Sequence, residues 1–338
     1  MTIAETPSSP STRRAAPRPV ALVTHPDCGR HDTGWRHPEH MGRLPAIVQS
    51  LYRDTPALLD VLLQEEAAPA RIDQLERVHD AGYIASVREA AAQAERAGEL
   101  QRLDPDTVVS PASWDAALAA AGCAVHATAL VASGAARTAF ALTRPPGHHA
   151  TRDRAMGFCL LNSVAVAARA AQVEHGLGSV LIIDWDVHHG NGTQDIFYDD
   201  AGVFYLSLHQ SPHYPGTGAA DERGAGEGEG ATLNVPLARS TPADDYLRAF
   251  HDALDQAFHE AAPQFVLISA GYDCLAGDPL GGLLLEPPDL HTMTRSVMER
   301  AAVSAGGRVA AVLEGGYAPA RTGEGVRATV RALAGLDL

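Results

Sequence analysis

The chain has 338 residues, 46% of them hydrophobic, and a formal net charge of −15. The excess of acidic side chains argues against nucleic-acid binding through a basic face, and the length allows one large α/β domain. The four cysteines are scattered and form no CxxC pair, which argues against a disulfide scaffold or a thiolate zinc site and fits a reducing cytosol.

The N-terminal stretch 1–19 is rich in Ser, Thr, Pro and Ala and lacks the apolar core of a signal peptide. It is predicted to be a disordered tail, followed by one domain at 20–338. We expect no apolar run long enough to span a membrane, no membrane partner and a cytoplasmic location.

Apolar runs and helical periodicity alternate along the rest of the chain. Strands are predicted at 20–24, 140–143, 180–183, 202–208, 234–237, 264–270 and 308–313. Helices are predicted at 43–51, 57–66, 72–77, 83–97, 113–133, before Gly176, at 244–261, 288–305 and after 317, with a loop at 103–111. This alternation predicts a single-domain α/β fold of three layers, with a mostly parallel, doubly wound central sheet and helices on both faces.

The strand at 180–183 is followed abruptly by polar residues. Asp186 and His188 are two residues apart, so in extended backbone their side chains point to the same face. A carboxylate and an imidazole there would supply two of the three protein ligands of an open catalytic zinc site. A polar strand-to-loop junction with a core histidine is the simpler alternative, which the cost of burying so many ionisable groups disfavours.

Three other strand ends carry His148 and His149, Asp273, and Tyr317. A parallel sheet brings such ends to one edge, where Asp186, His188 and Asp273 would form an Asp2His site suited to Zn²⁺, with Fe²⁺ or Mn²⁺ as substitutes. Such an ion acidifies a water molecule, a neutral histidine can take its proton, and a tyrosine hydroxyl can stabilise the oxyanion. This combination predicts amide hydrolysis.

The chain resembles the histone deacetylase family of the arginase/deacetylase fold, and within it the class II deacetylases and the bacterial histone deacetylase-like amidohydrolases. The matching motifs are Pro-Pro-Gly-His-His-Ala (145–150), Gly-Phe-Cys (157–159), Asp-Trp-Asp-Val-His-His-Gly-Asn-Gly-Thr (184–193), Pro-Gly-Thr-Gly (215–218), Gly-Tyr-Asp (271–273), Gly-Asp-Pro-Leu-Gly-Gly (277–282) and Glu-Gly-Gly-Tyr (314–317). They follow the family's order over nearly the whole chain after the tail.

The resemblance implies a zinc-dependent deacetylase that hydrolyses acetyl-lysine or similar N-acyl amides, with one Zn²⁺ per chain. It implies that His149 is the general base and later acid, that His148 acts mainly electrostatically, and that Tyr317 polarises the scissile carbonyl. Asp184 would orient His148, and Asn191 would face His149, as in class II members. The implied zinc ligands are Asp186, His188 and Asp273.

The resemblance also implies a substrate tunnel and two potassium sites. Phe158 with Gly157 would form one tunnel wall, Tyr214 stands where the family usually has Phe, and Arg43 matches an arginine near the acetate-exit path. An ordinary helix-start salt bridge is an equal alternative for Arg43, and Asp104 or Asp106 could supply a rim carboxylate. The implied K⁺ positions are Asp184, Asp186, His188, Ser207 and Leu208 for the first site and Phe197, Asp200 and Val203 for the second.

Several alternatives stay open at this point. An acetylpolyamine amidohydrolase is the first, although Leu280 stands where a polyamine-specific relative has a glutamate. An arginase-like di-manganese ureohydrolase and a non-catalytic acyl-lysine binding module are the others. Relatives in this family occur as monomers, dimers and tetramers, so a homo-oligomer is one expectation.

Overall fold

The structure is a computed structural model and describes residues 19–338. Except for Pro19, the predicted tail therefore lies outside the described residues, and the domain boundary at residue 20 stays a prediction.

Ten strands and ten helices alternate along the described residues. The strands are β1 (Val20–Thr24), β2 (Leu62–Glu66), β3 (Gln101–Arg102), β4 (Val108–Val109), β5 (Thr138–Ala141), β6 (Val180–Asp184), β7 (Val203–Gln210), β8 (Thr232–Leu237), β9 (Phe265–Ala270) and β10 (Val309–Leu313). The helices are α1 (Arg43–Arg53), α2 (Thr55–Leu58), α3 (Ile72–Leu75), α4 (Ala81–Ala97), α5 (Ser113–Ala132), α6 (Ser163–His175), α7 (Asn191–Phe197), α8 (Ala243–Ala261), α9 (Pro287–Ser304) and α10 (Pro319–Ala334).

Eight strands form one sheet in the order β2-β1-β5-β10-β9-β6-β7-β8, and every neighbouring pair is parallel. The carboxyl ends of β5, β6, β9 and β10 are therefore neighbours at one edge of the sheet. Asp184, the last residue of β6, pairs with Ser207 on β7 and Ser269 on β9. This topology brings the predicted polar strand ends together.

Helices cover both faces of the sheet, as predicted. Along β6, Val180 and Ile182 pack into the apolar cluster under α4, α5 and α6, whereas Leu181 and Ile183 pack into the cluster under α1, α8, α9 and α10. Strands buried on both faces explain why the sequence shows continuous apolar runs rather than alternation.

One predicted helix is wrong. The segment 57–66 contains the short helix α2 and the strand β2, which pairs in register with β1 from Val20↔Leu62 to Thr24↔Glu66. The Leu-Leu-Gln-Glu-Glu sequence of β2 favours a helix locally, but hydrogen bonding to the sheet edge overrides that preference. The predicted loop at 103–111 also contains β4, and α7 was not predicted from the sequence.

The expectation that no apolar segment is long enough for a membrane is wrong for α5. This 20-residue helix is long and apolar enough by length and composition, but 67% of its most apolar window is buried inside the protein. Its alanines pack against α6 and the sheet, so its composition is that of a core helix.

Candidate active site

The three predicted metal ligands converge at the carboxyl edge of the sheet. Asp186 and His188 follow β6, Asp273 follows β9, and their ligand atoms all lie within 4.8 Å of one another. His188 Nδ1 is 3.0 Å from Asp186 Oδ1 and 3.2 Å from Asp273 Oδ2. Among residues 19–338 this is the one group of three or more such side chains that could hold a metal ion.

The donor set fits a zinc ion. A tetrahedral site with bonds of about 2.1 Å separates neighbouring ligand atoms by about 3.4 Å, close to the distances around His188 Nδ1. Asp273 Oδ2 is buried and accepts no hydrogen bond, so one oxygen aimed at the cluster lacks a protein partner. Asp273 Oδ1 and Asp186 Oδ2 are held by the backbone N–H groups of Val187 and Gly315 at 2.8 and 2.9 Å.

The electrostatics of the cluster favour a cation. Burial and the charge of Asp186 raise the pKa of Asp273 to about 7. Burial lowers the pKa of His188, but Asp186 and Asp273 outweigh burial and raise it to about 10. Asp186 and Asp273 thus draw a proton onto His188, and a metal ion can take the place of that proton between the three side chains.

His148 lies behind the ligand cluster and pairs with Asp184. Its Nδ1 donates to Asp184 Oδ2 at 3.0 Å, and its Nε2 is 3.8 Å from Asp186 Oδ1. Burial lowers the pKa of His148, but the charges of Asp186 and Asp184 outweigh burial and raise it to about 10. Tyr205 donates a second hydrogen bond to Asp184 Oδ2 at 3.0 Å, which the sequence did not indicate.

His149 is the neutral member of the histidine pair. Its Nδ1 lies 2.8 Å from Asn191 Oδ1, which can only accept, so Nδ1 carries the hydrogen and Nε2 keeps a free lone pair. Burial and the positive charges of His148 and His188 lower the pKa of His149 well below its ordinary value. The Asn191 amide group donates in turn to Met156 Sδ at 3.4 Å. The arrangement leaves a proton acceptor beside the metal-ligand cluster.

Tyr317 follows β10 and lies across the pocket from these histidines. Its ring packs edge-on against Phe158 at 5.6 Å between centroids. Burial raises the pKa of Tyr317 well above its ordinary value, although the charge of Arg43 opposes this. The hydroxyl therefore stays protonated at neutral pH and can donate a hydrogen bond.

Arg43 connects the start of α1 to the backbone before Tyr317. Its Nε donates to Gly316 O at 2.7 Å and its Nη2 to Glu314 O at 2.5 Å, and Cζ lies 5.1 Å from the Tyr317 ring centroid. Nη1 donates to Glu39 Oε1 at 2.9 Å. Arg43 thus makes a salt bridge at the start of α1 and also holds the backbone before Tyr317, whereas its place near an acetate-exit path stays a prediction.

Two buried carboxylates that the sequence did not single out hold together the segments around the metal-ligand cluster. Glu39 accepts from Arg144 Nε at 2.6 Å as well as from Arg43, which joins α1 to the segment before His148. Glu314 accepts from the backbone N–H groups of Gly147 and His148 at 2.6 and 3.1 Å. Glu314 belongs to the Glu-Gly-Gly-Tyr motif, so its place at a strand end was the one available signal.

A pocket of about 210 Å³ opens above the ligand cluster. It is lined by four of the five predicted substrate-binding residues, all but Arg43, and by three predicted catalytic or ligand residues, namely Gly157, Phe158, Tyr214, Leu280, His149, His188 and Tyr317. The Tyr214 ring stands edge-on to His149 at 5.2 Å. Phe158 has a backbone φ of 70°, a conformation uncommon for a residue with a side chain.

Asp106 and His213 also line the pocket. Asp106 Oδ1 accepts from the Gly157 N–H at 3.2 Å, whereas Asp104 pairs with Arg154 at 3.3 Å. His213, which the sequence analysis missed, stacks on His188 at 4.9 Å and donates from Nε2 to Leu280 O at 2.8 Å. It precedes Tyr214 directly, and that position was its only sequence signal.

The residues implied for potassium binding lie along or just after β6, α7 and β7, and of them only His188 lines the pocket. Ser207 on β7 is the strand-pairing partner of Asp184 on β6, and its hydroxyl oxygen lies 3.0 Å from His209 Nδ1. The Asp200 carboxylate forms an ion pair with Arg169 at 2.5 Å. Potassium binding at Leu208, Phe197, Val203 and these positions stays a prediction.

Comparisons with known proteins identify relatives that match most of this chain. Residues 37–333 match the histone deacetylase domain. The chain is 38% identical to "Histone deacetylase 10, chloroplastic" of Oryza sativa over 94% of its length and 73% of that protein, and 38% identical to "Histone deacetylase-like amidohydrolase" of Pseudomonas aeruginosa over 84% and 72%. The crystal structure of the HDA15 HD domain superposes with a TM-score of 0.88 at 36% identity, covering 95% of this chain and 89% of that one.

Proposed function

Since the chain belongs to the histone deacetylase family, and is therefore a hydrolase of amides, we propose that it is a zinc-dependent deacetylase. Its reaction would hydrolyse the amide of an acetylated lysine side chain, or a similar N-acyl amine, to the free amine and acetate. The proposal rests on one observation: His188 of the Asp186–His188–Asp273 group lines a pocket that His149 and Tyr317 also line.

The metal would be held by Asp186, His188 and Asp273. When bound, a zinc ion supplies the positive charge that acidifies a water molecule and polarises an amide carbonyl. His149 Nε2 is the one free proton acceptor of the histidine pair, so it takes the proton of the attacking water. The same proton then passes from Nε2 to the amine nitrogen as the carbon–nitrogen bond breaks.

His148 and Tyr317 act on the charge that develops during this reaction. His148, whose Nδ1 donates to Asp184 and whose Nε2 lies 3.8 Å from Asp186, acts mainly through its electrostatic effect on the cluster. The Tyr317 hydroxyl donates to the carbonyl oxygen as it becomes an oxyanion. Loss of one such donor typically lowers kcat by about 10²–10³.

Most of the pocket lining favours an extended apolar side chain, and its one carboxylate, Asp106, already accepts the N–H of Gly157. Phe158 and Tyr214 present aromatic rings, and Leu280 adds an aliphatic side chain that offers no charge to a distal ammonium group. An acetyl-lysine side chain has four methylene groups to bury there, whereas an acetylpolyamine carries further positive charge. The lining therefore favours acetyl-lysine as the substrate over acetylpolyamines.

Replacing the Tyr317 hydroxyl tests the catalytic assignment. We expect Tyr317→Phe to lower kcat on an acetyl-lysine peptide by about 10²–10³ with zinc still bound, because the oxyanion loses its donor. Tyr52→Phe is the matched control, since that ring is 77% exposed on α1. An unchanged kcat in Tyr317→Phe would contradict the assignment of Tyr317 as the oxyanion donor, and with it the proposed mechanism.

Chelation and a substrate panel test the cofactor and the substrate. Activity should disappear on chelation and return with Zn²⁺, at one ion per chain by elemental analysis. A second divalent metal ion per chain would favour the arginase-like alternative. A higher kcat/KM for acetylspermidine than for an acetyl-lysine peptide would assign the chain to the acetylpolyamine amidohydrolases.

A further inference from the structure

Asp278 is a buried carboxylate whose role the mechanism leaves open. It lies in the loop between β9 and α9 and is 8% exposed. Its Oδ2 accepts from the backbone N–H groups of Tyr317 and Ala318 at 2.7 and 3.0 Å, and its Oδ1 accepts from the Leu280 N–H at 2.9 Å. The Asp278 side chain thus accepts hydrogen bonds from the backbone of Leu280, which lines the pocket, and from the backbone of Tyr317, the proposed oxyanion donor.

These bonds constrain the Tyr317 backbone from one side while Arg43 constrains it from the other. Asp278 holds the N–H groups of residues 317 and 318, and Arg43 holds the carbonyl oxygens of residues 314 and 316. The peptide groups on both sides of Tyr317 therefore have charged, buried partners. Hydrogen bonds to ionised groups are roughly twice as strong as neutral ones.

A purely structural role in capping α10 is the simpler explanation. The carboxylate lies just before Pro319, the first residue of α10, where negative charge is favourable. Capping alone does not account for the third bond, because Leu280 lies outside that helix and lines the pocket. Together, the three hydrogen bonds of Asp278 connect Leu280 in the pocket lining with the backbone of Tyr317 and Ala318.

We propose that Asp278 is a positioning residue for the Tyr317 hydroxyl, an inference that rests on the function proposed above. A backbone rotation of about 10° moves the end of a tyrosine side chain by about 1 Å, and a misplacement of that size can cost about 10² in rate. Without the carboxylate the Tyr317 peptide loses its hydrogen-bond acceptor and its fixed orientation.

The test is a double-mutant cycle with zinc-loaded protein and an acetyl-lysine peptide. In the natural background, Asp278→Ala should lower kcat by about 10- to 100-fold. In the Tyr317→Phe background the same change should lower kcat by less than about twofold, because the hydroxyl it positions is already gone. Equal losses in both backgrounds, or an unchanged kcat in Asp278→Ala, would overturn the inference, whereas full activity of Tyr317→Phe alone would overturn the proposed function.

Asp278→Asn supplies a conservative rescue. Its carbonyl oxygen can still accept from Tyr317 and Ala318, while its amide group then faces the Leu280 N–H. We expect kcat to return to within about threefold of the natural protein, with the remaining defect in KM. A kcat as low as that of Asp278→Ala would contradict positioning through these two bonds. The asparagine variant also keeps the test decisive if the alanine variant does not fold.

Hydrogen exchange gives a readout that is independent of activity. Asp278→Ala should speed amide exchange in the segment 314–318 and leave 55–66 unchanged. Asp289→Ala is the matched control, since Asp289 Oδ2 accepts a backbone N–H at 2.8 Å at the start of α9, away from the pocket. Unchanged exchange at 314–318 in Asp278→Ala, or an equal kcat loss in Asp289→Ala, would refute the assignment.

Discussion

Substituting Gly157 with alanine tests how closely the general base is packed. Gly157 has a φ of 55°, and a Cβ built on it would lie 2.3 Å from His149 Cδ2 and 2.8 Å from His149 Cγ. Carbon atoms in contact are separated by about 3.5 Å, so the ring or the loop must move by about 1.2 Å. The three nearest atoms all belong to His149, the side chain proposed to carry the proton.

The size of the effect follows from the hydrogen bond that holds His149. Its Nδ1 is 2.8 Å from Asn191 Oδ1, and a shift of about 1 Å away from Asn191 would stretch this distance beyond hydrogen-bond range. A displacement of that size typically costs about 10² in rate. Left-handed backbone strain adds about 1–2 kcal/mol to the loss of folding stability.

The assay compares kcat/KM and thermal unfolding for Gly157→Ala and Gly176→Ala. Gly176 has a similar φ of 67° but no atom within 4 Å of its added Cβ, so it carries the strain without the clash. We expect both variants to lose the stability that backbone strain costs, Gly157→Ala to lose more because of its clash, and only Gly157→Ala to lose about 10² in kcat/KM. Natural kcat/KM in Gly157→Ala, or an equal loss in both variants, would refute the packing argument.

Two further predictions concern the metal-ligand cluster and a histidine outside it. Gly315→Ala would place a Cβ 2.3 Å from Asp273 Oδ2, so we expect less bound zinc per chain by elemental analysis, whereas Gly29→Ala, with open space around it, should bind as much as the natural protein. His79 is buried between the Thr151 carbonyl oxygen at 2.8 Å and the Asn162 N–H at 2.9 Å, and burial lowers its pKa to about 4. Because the unfolded chain then binds more protons than the folded one between about pH 6.5 and 4, His79 should remove about 3 kcal/mol of stability as pH falls through that window. Urea unfolding at several pH values would measure this loss. If the free energy of unfolding of a His79→Gln variant fell with pH as steeply as that of the natural protein, the prediction would be contradicted.

The amino-acid sequence by itself determined the alternation of most strands and helices and pointed to the residues proposed to carry the chemistry. Asp186 and His188 are close in sequence, so strand geometry alone places them on one face. Asp273 and Tyr317 follow other apolar strands, and a parallel sheet brings such ends to one edge without any knowledge of side-chain packing. Local spacing and sheet topology were therefore sufficient for these four residues.

Tertiary structure alone decided which residues hold that chemistry in place. Arg43 contacts Gly316 across 273 positions of sequence, and Asp278 reaches Tyr317 across 39. Segment 62–66 is a strand because β1 offers it an unpaired edge, against its own helical preference. Contacts of this kind depend on the register of distant segments in the folded chain, and no local pattern of residues encodes that register.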